Sequence, residues 1–335
     1  MTAPVLIWGA GAIGGVLGAY LARAGHPVRM VDIEPDHVAA MRNGLVIEGP
    51  VEGFTQALDA VTPDGVRGTY RRIILAVKAH HTEAALEQLV PHLAPDGFIL
   101  SAQNGLNEQV IADRVGAART MGCFVNFGAD WLGPGRVLYG NRAAVAVGEL
   151  DGTMTPRLSD MHALLRLVEP DAVMTDNIWG YLWGKMGYGA LLFATALTDD
   201  SMADAMARPE HFAVFRALGG EVMALAAAQG IRPVGFNGFD PQAFGPGGDP
   251  AASIGAMVAH NRNTAKTHSG IWRDLAVRKR KTEVDAQIGP MLEIGARLGV
   301  PVPVLTRLVA LIHDIEGGRR SQSVATLDAL VPACA

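Results

Sequence analysis

Apolar positions in the first half of the chain switch between short runs and helical spacing. Residues 5–8 (VLIW) form a short apolar run, GAGAIG follows over 9–14, and Val16, Leu17, Tyr20 and Leu21 then recur at helical spacing, which predicts strand, turn and helix. Ala24-Gly25-His26-Pro27 stops that helix, and 28–31 predicts a second strand ending at Asp32. The rhythm returns with an apolar run at 73–77, helical spacing over 82–93, the turn Pro95-Asp96-Gly97 and a strand over 98–101. Strands separated by helices predict an α/β unit with a doubly wound parallel sheet. Runs at 143–147 and 172–174 predict further strands near its edge.

From residue 177 onward the alternation stops. Helical periodicity covers 178–197, 211–229, 251–267, 271–298 and 306–313, so the second half reads as all helical. The chain of 335 residues is long enough for two domains, expected at 1–175 and 176–335. The stretch 231–250 holds five glycines, four prolines and three phenylalanines and reads as a lid or an interface loop that exposes its aromatic rings.

Composition excludes several classes. Apolar residues make up 49% and charged residues 18%, which excludes a disordered chain. A net charge of −5 argues against nucleic acid and anionic membranes and for a small-molecule partner. Two distant cysteines, Cys123 and Cys334, supply neither a disulfide framework nor a zinc site, and Cys123 in its apolar setting reads as a packed small residue. No Lys or Arg precedes the apolar N-terminal stretch, and glycines interrupt it, so export is not expected and a cytoplasmic location is.

The glycine motif carries chemistry because of where it stands. Gly9 permits a tight turn, Gly11 lets the backbone approach a pyrophosphate, Gly14 allows helix to pack on strand, and the helix start offers the N–H groups of Ala12 and Ile13. Together these predict a Rossmann dinucleotide site. Asp32 stands 21 residues beyond Gly11. It either accepts hydrogen bonds from an adenosine ribose diol, which favours NAD(H) over NADP(H), or caps the turn before Pro35.

The segments GAGAIGG, LAVKAHHTEAAL (75–86), AQNGLNE (102–108) and the MGC beginning at Met121 resemble the cofactor domain of the ketopantoate reductase family. NIWGYLWGKM (177–186), KTEVDAQIG (281–289) and ARLGVPVP (296–303) resemble its helical domain. The resemblance implies a C-terminal helical domain like that of 6-phosphogluconate dehydrogenase and hydride transfer between a nicotinamide and a 2-oxo or 2-hydroxy acid, with substrate bound between the domains. It implies Lys185 as the acid that meets the carbonyl oxygen and Glu283 as its partner. It also implies Lys78 and Asn104 beside the cofactor, with Asn104 and Ser269 toward the substrate. Read from the residues alone, Lys185 is a snorkelling lysine, Glu283 an exposed helical partner of Lys279, Lys78 a solvated loop charge and Ser269 an N-cap.

Two departures bear on the substrate. Where the family commonly carries asparagines after the lysine, this chain has Gly189 and Phe193, which points away from ketopantoate itself and toward another 2-oxo or 2-hydroxy acid. A 3-hydroxy acid or opine-type dehydrogenase of the same two-domain plan remains an alternative, as does a dinucleotide-sensing module without catalysis. His260, Thr264 and His268 share a helical face if that helix is continuous, with ordinary surface favoured over a metal site. The run Arg278-Lys279-Arg280-Lys281 reads as a solvated helix face, and the apolar helical half suggests a homodimer.

Overall fold

A computed structural model describes residues 4–264 and 266–334. It divides into two compact units, residues 1–178 and 179–335.

The first unit contains β1 (Val5–Trp8), α1 (Ala12–Arg23), β2 (Val28–Val31), α2 (Pro35–Gly44), β3 (Leu45–Glu48), β4 (Phe54–Gln56), β5 (Asp59–Val61), β6 (Tyr70–Leu75), α3 (Thr82–Leu89), β7 (Leu93–Ser101), α4 (Asn107–Val115), β8 (Thr120–Val125), β9 (Gly128–Gly133), β10 (Arg136–Asn141), β11 (Val145–Glu149), α5 (Pro156–Arg166) and β12 (Val173–Met174). Eight strands form one sheet in the order β12-β11-β8-β7-β6-β1-β2-β5. Its core is parallel, as the apolar runs predict, and β11 joins antiparallel to β8. The strand ends Ser101, Leu75, Trp8 and Val31 lie in register across β7, β6, β1 and β2, so four loops leave the sheet side by side at its C-terminal edge. In an open α/β sheet that edge is where ligands are held.

A second sheet, in the order β4-β3-β10-β9, was not expected. It lies on α1, whose residues Gly14 to Leu21 are all buried. A helix that is apolar on every side needs cover on every side, and AIGGVLGAYLAR leaves no polar face for solvent. Gly15 is a point of close approach: a Cβ there would lie 3.1 Å from Val137 of β10. Tyr20 of α1 packs edge-on against Phe54 of β4 and Tyr139 of β10, at 5.1 and 5.7 Å between ring centroids.

The second unit is helical among its described residues, with α6 (Ile178–Thr195) crossing the boundary, then α7 (Met202–Ala207), α8 (Phe212–Ala228), α9 (Pro250–Arg262), α10 (Gly270–Ala276), α11 (Val284–Gln287), α12 (Gly289–Leu298), α13 (Pro303–Glu316) and α14 (Val324–Asp328). Three sequence expectations fail here. The segment 271–298 is not one helix: after α10 the chain turns through Lys279 at φ 49°, and Arg278 and Arg280 fold back onto the buried carboxylate of Asp274 at 3.0 and 2.9 Å. The helix carrying His260 ends at Arg262, so His260, Thr264 and His268 share no continuous face. The loop 231–250 does not expose its aromatics: Phe239 and Phe244 are buried, stacked 5.2 Å apart. They fill notches left by glycine, since a Cβ on Gly187 of α6 would lie 2.6 Å from the Phe239 ring and one on Gly219 of α8 would lie 2.3 Å from the Phe244 ring. Each buried ring contributes roughly 1.5–3 kcal/mol, which ties this loop to the helices.

By length and composition alone, the stretch Pro209–Ala228 is apolar enough to cross a membrane. It carries Arg216 and Glu221, and Glu221 is put to use inside the unit: its two carboxylate oxygens accept from the N–H groups of Val304 and Leu305, both at 2.8 Å, at the start of α13. Helix N-termini need such acceptors, and Val302 supplies no side-chain cap. Burial nevertheless pushes the Glu221 carboxyl above its usual 4.5, against the two backbone hydrogen bonds that lower it. The folded chain therefore holds this proton at pH values where the unfolded chain has released it, and stability falls as pH rises through that window. Chemical denaturation of wild type and Glu221→Gln from pH 4.5 upward should show the wild type losing stability relative to the variant as pH rises; a wild-type advantage that grows with pH would reverse the sign. Glu221→Ala, which removes both acceptors, should cost about 1–2 kcal/mol throughout.

Candidate active site

The glycine turn is fixed by sterics and by hydrogen bonds from two directions. Gly9 has φ +96°, and a Cβ on it would lie 2.7 Å from the Val77 backbone. A Cβ on Gly14 would lie 1.9 Å from the Gly9 carbonyl oxygen, so neither position admits a side chain. Ala10, fully buried between them, donates its N–H to Asp32 Oδ2 at 2.9 Å. The Asp32 Oδ1 atom accepts from Glu34 N at 3.1 Å. Asp32 thus caps the turn before Pro35 and also braces the glycine turn.

His37, on the first turn of α2, is a residue that sequence reasoning missed. It is 1% exposed, its Nε2 lies 2.9 Å from the Ala10 carbonyl oxygen, and its Nδ1 lies 2.9 Å from Gly135 N in the β9–β10 turn. A carbonyl only accepts and an amide N–H only donates, so the ring is assigned as the neutral tautomer with its proton on Nε2. No motif marks it, because its partner Gly135 is 98 residues away.

A dinucleotide phosphate fits this turn. Gly11 is the N-cap of α1 with no side-chain cap and no acidic residue in the first turn, and a Cβ on Gly11 would meet no atom within 4 Å. The N–H groups at a helix start and its positive dipole end are what a phosphate requires. Gly9, Gly11, Ala12, Ile13 and Gly14 stand together in this turn and helix start, with Asp32 fastened to it through Ala10 N.

Lys78 and Asn104 occupy the neighbouring loops after β6 and β7. A buried amide network joins those loops: Gln103 Nε2 donates to Val77 O at 2.9 Å and to Thr82 Oγ1 at 2.8 Å, and the Thr82 hydroxyl lies 2.9 Å from Asn107 Oδ1. The Asn107 side chain in turn donates to the Asn104 carbonyl at 2.5 Å. Asn104 itself is exposed and Lys78 half-buried, two polar side chains on loops held rigid from below. The sequence marks Gln103, Thr82 and Asn107 only as members of the segments 75–86 and 102–108, without a role of their own.

In the helical unit, Lys185 and Gly189 stand one turn apart on α6, both half-buried. A Cβ on Gly189 would meet nothing within 4 Å, whereas Gly184 and Gly187 on the same helix are packed against Val234 and Phe239. Phe193, expected beside the substrate, lies further along the same helix. Eight residues beyond Lys185 it points about 80° further around the helix, and it is 0% exposed.

Ser269 is buried and caps α10, its Oγ accepting from Trp272 N at 3.1 Å. Among the described residues no acceptor for its hydroxyl proton is present. Glu283 is half-buried at the break before α11 and shares no helix with Lys279, so the two do not stand one helical turn apart. Its neighbour Thr282 is fastened to α13 through Glu316, which accepts from Thr282 N at 2.7 Å and from Thr282 Oγ1 at 2.8 Å.

Comparisons with known proteins agree with this architecture. The family model described as Ketopantoate reductase PanE/ApbA matches residues 5–152, and that of its C-terminal part matches residues 177–316. A 2-dehydropantoate 2-reductase of Archaeoglobus fulgidus is 27% identical over 316 residues, covering 94% of this chain and 98% of that protein. One from Mesorhizobium japonicum is 26% identical, covering 93% and 97%. The solved PanE/ApbA family ketopantoate reductase of Ralstonia eutropha is 27% identical with a TM-score of 0.76, covering 94% of this chain and 99% of that one. A D-mandelate dehydrogenase solved with NADH and anilino(oxo)acetate shares the fold at a TM-score of 0.80 and 22% identity, covering 94% and 99%. Two consecutive family matches, on a Rossmann unit followed by a helical one, place the chain in the ketopantoate reductase family.

Proposed function

We propose that the chain is an NAD(H)-dependent oxidoreductase that interconverts a 2-oxo acid and its 2-hydroxy acid, with a substrate other than ketopantoate. The observation that carries the reading is the uncapped start of α1 at Gly11, an anion cradle with open space above it, in a member of a family of 2-oxo acid reductases. The preference for NAD(H) rests on charge. Asp32, Glu34 and Asp36 crowd the turn after β2, no Lys or Arg stands among residues 32–36, and a 2′-phosphate there would meet like charge.

Gly9, Gly11, Ala12, Ile13 and Gly14 would hold the cofactor's pyrophosphate and Asp32 its ribose, with Lys78 and Asn104 on the adjoining loops. Nicotinamide supplies or accepts the hydride. Negative charge grows on the carbonyl oxygen during reduction, and the Lys185 ammonium stabilises it and donates the proton. Glu283 orients the amine or accepts from the substrate hydroxyl, and Ser269 offers its hydroxyl proton to the substrate carboxylate. The space beside Gly189, where the family carries an amide side chain, favours a bulkier and less polar group on the 2-oxo acid. A homodimer accords with the family member from Staphylococcus aureus, whose solved structure is described as dimeric, and we extend that assembly to this chain as part of the same proposal.

Steady-state assays with NADH and NADPH across aliphatic and aryl 2-oxo acids test the reading; failure with every 2-oxo acid sinks it. Lys185→Ala should lower kcat roughly a hundredfold to ten-thousandfold while leaving NADH affinity nearly unchanged. Asp32→Asn keeps an acceptor for Ala10 N but loses the charge, and should narrow the NADH over NADPH preference in kcat/KM. Gly189→Asn should reduce kcat/KM for aryl 2-oxo acids more than for small aliphatic ones; an equal loss on both would remove this position from specificity.

A further inference from the structure

The Ala10–Gly11 peptide is trans, so its carbonyl and its N–H point in opposite directions. His37 Nε2–H holds that carbonyl at 2.9 Å on the side of α2. The Gly11 N–H is thereby turned away from His37, alongside the open N-terminus of α1. His37 is in turn held by Gly135 N at 2.9 Å, and Gly135 is fixed by close approach to α2, where a Cβ on it would lie 2.6 Å from Ala40 Cβ. Trp131 of β9 stands edge-on to the imidazole, 6.1 Å between centroids.

From this chain of contacts we infer that His37 is a positioning residue for the cofactor, aiming the Gly11 N–H at a dinucleotide phosphate, with the β9–β10 turn of the second sheet as its anchor. The inference rests on the nucleotide-binding reading of the first unit. Without the imidazole the buried Ala10 carbonyl has no donor among the described residues, and the peptide is free to rotate toward another partner, taking the Gly11 N–H with it. Asp32 cannot substitute, because it holds the preceding peptide through Ala10 N.

Two variants separate the two bonds. In His37→Asn the side-chain oxygen can still accept from Gly135 N, but the donor to Ala10 is lost; in His37→Gln the amide can still donate to Ala10, but the acceptor for Gly135 is lost. His37→Asn should raise the Kd of both NADH and ADP-ribose roughly tenfold, with kcat at saturating NADH within about twofold of wild type. His37→Gln should restore affinity to within roughly threefold of wild type. Unchanged Kd in folded His37→Asn overturns the proposal, and so do equal losses in both variants that follow their thermal stability. Should His37→Asn fail to fold, ¹⁵N NMR of wild type decides: an Nε2–H tautomer at His37 and a large shift of the Gly11 amide on adding ADP-ribose are expected, and an Nδ1–H tautomer or an unmoved Gly11 amide overturns it. Wild type that binds neither NADH nor ADP-ribose defeats the nucleotide reading and this proposal with it, an outcome distinct from tight binding that His37 does not influence.

Discussion

Buried backbone N–H and carbonyl groups need partners, and at residues 9–14 the N-terminal unit meets that requirement with side chains from outside the glycine turn. Each of the two peptides flanking Ala10 has one polar group held by a side chain, Asp32 on the N–H of the first and His37 on the carbonyl of the second. Gly9 and Gly14 supply the remaining condition, since the Gly9 carbonyl occupies the place a Gly14 side chain would need. Hydrogen bonds and steric exclusion together leave the turn one arrangement, and preorganisation of this kind spares a ligand the cost of ordering it.

That requirement also gives the second sheet a role beyond covering apolar surface. It buries the outer side of α1 and, through Gly135, supplies the donor that fixes the imidazole of His37. In the loops after β6 and β7 the Gln103–Thr82–Asn107 network does the corresponding work from buried positions, holding the segments that carry Lys78 and Asn104. The exposed polar residues of this edge therefore stand on buried polar ones, which is how short loops keep a fixed geometry at the end of a sheet.

The helical unit uses close packing at glycine in two opposite ways. Gly184 and Gly187 admit the Val234 backbone and the Phe239 ring, which lock the 231–250 loop onto α6, whereas Gly189 opens onto space one turn beyond Lys185. A single helix thus combines a packed face with a cleared position. The break before α11 has a similar logic. Asp274 is buried and would be costly without cationic partners, and the basic run leaves the helix to supply them, which sets Thr282 against Glu316 and places Glu283 at a helix start.

Period and punctuation in the sequence determined the parallel core of the first sheet, the glycine turn, Asp32 at the end of β2 and the helical character of the second half, because each is written in residues close together along the chain. The second sheet escaped that reading because its strands are three to six residues long and β3 pairs with β10 across some ninety intervening positions, although an α1 without a polar side was a usable sign that something covered it. The same holds for His37, for the buried Phe239 and Phe244 and for the basic run drawn onto Asp274. Local sequence fixes which groups a segment offers; which carbonyl, notch or carboxylate receives them depends on partners brought near only by folding, and that was decided by the tertiary structure alone.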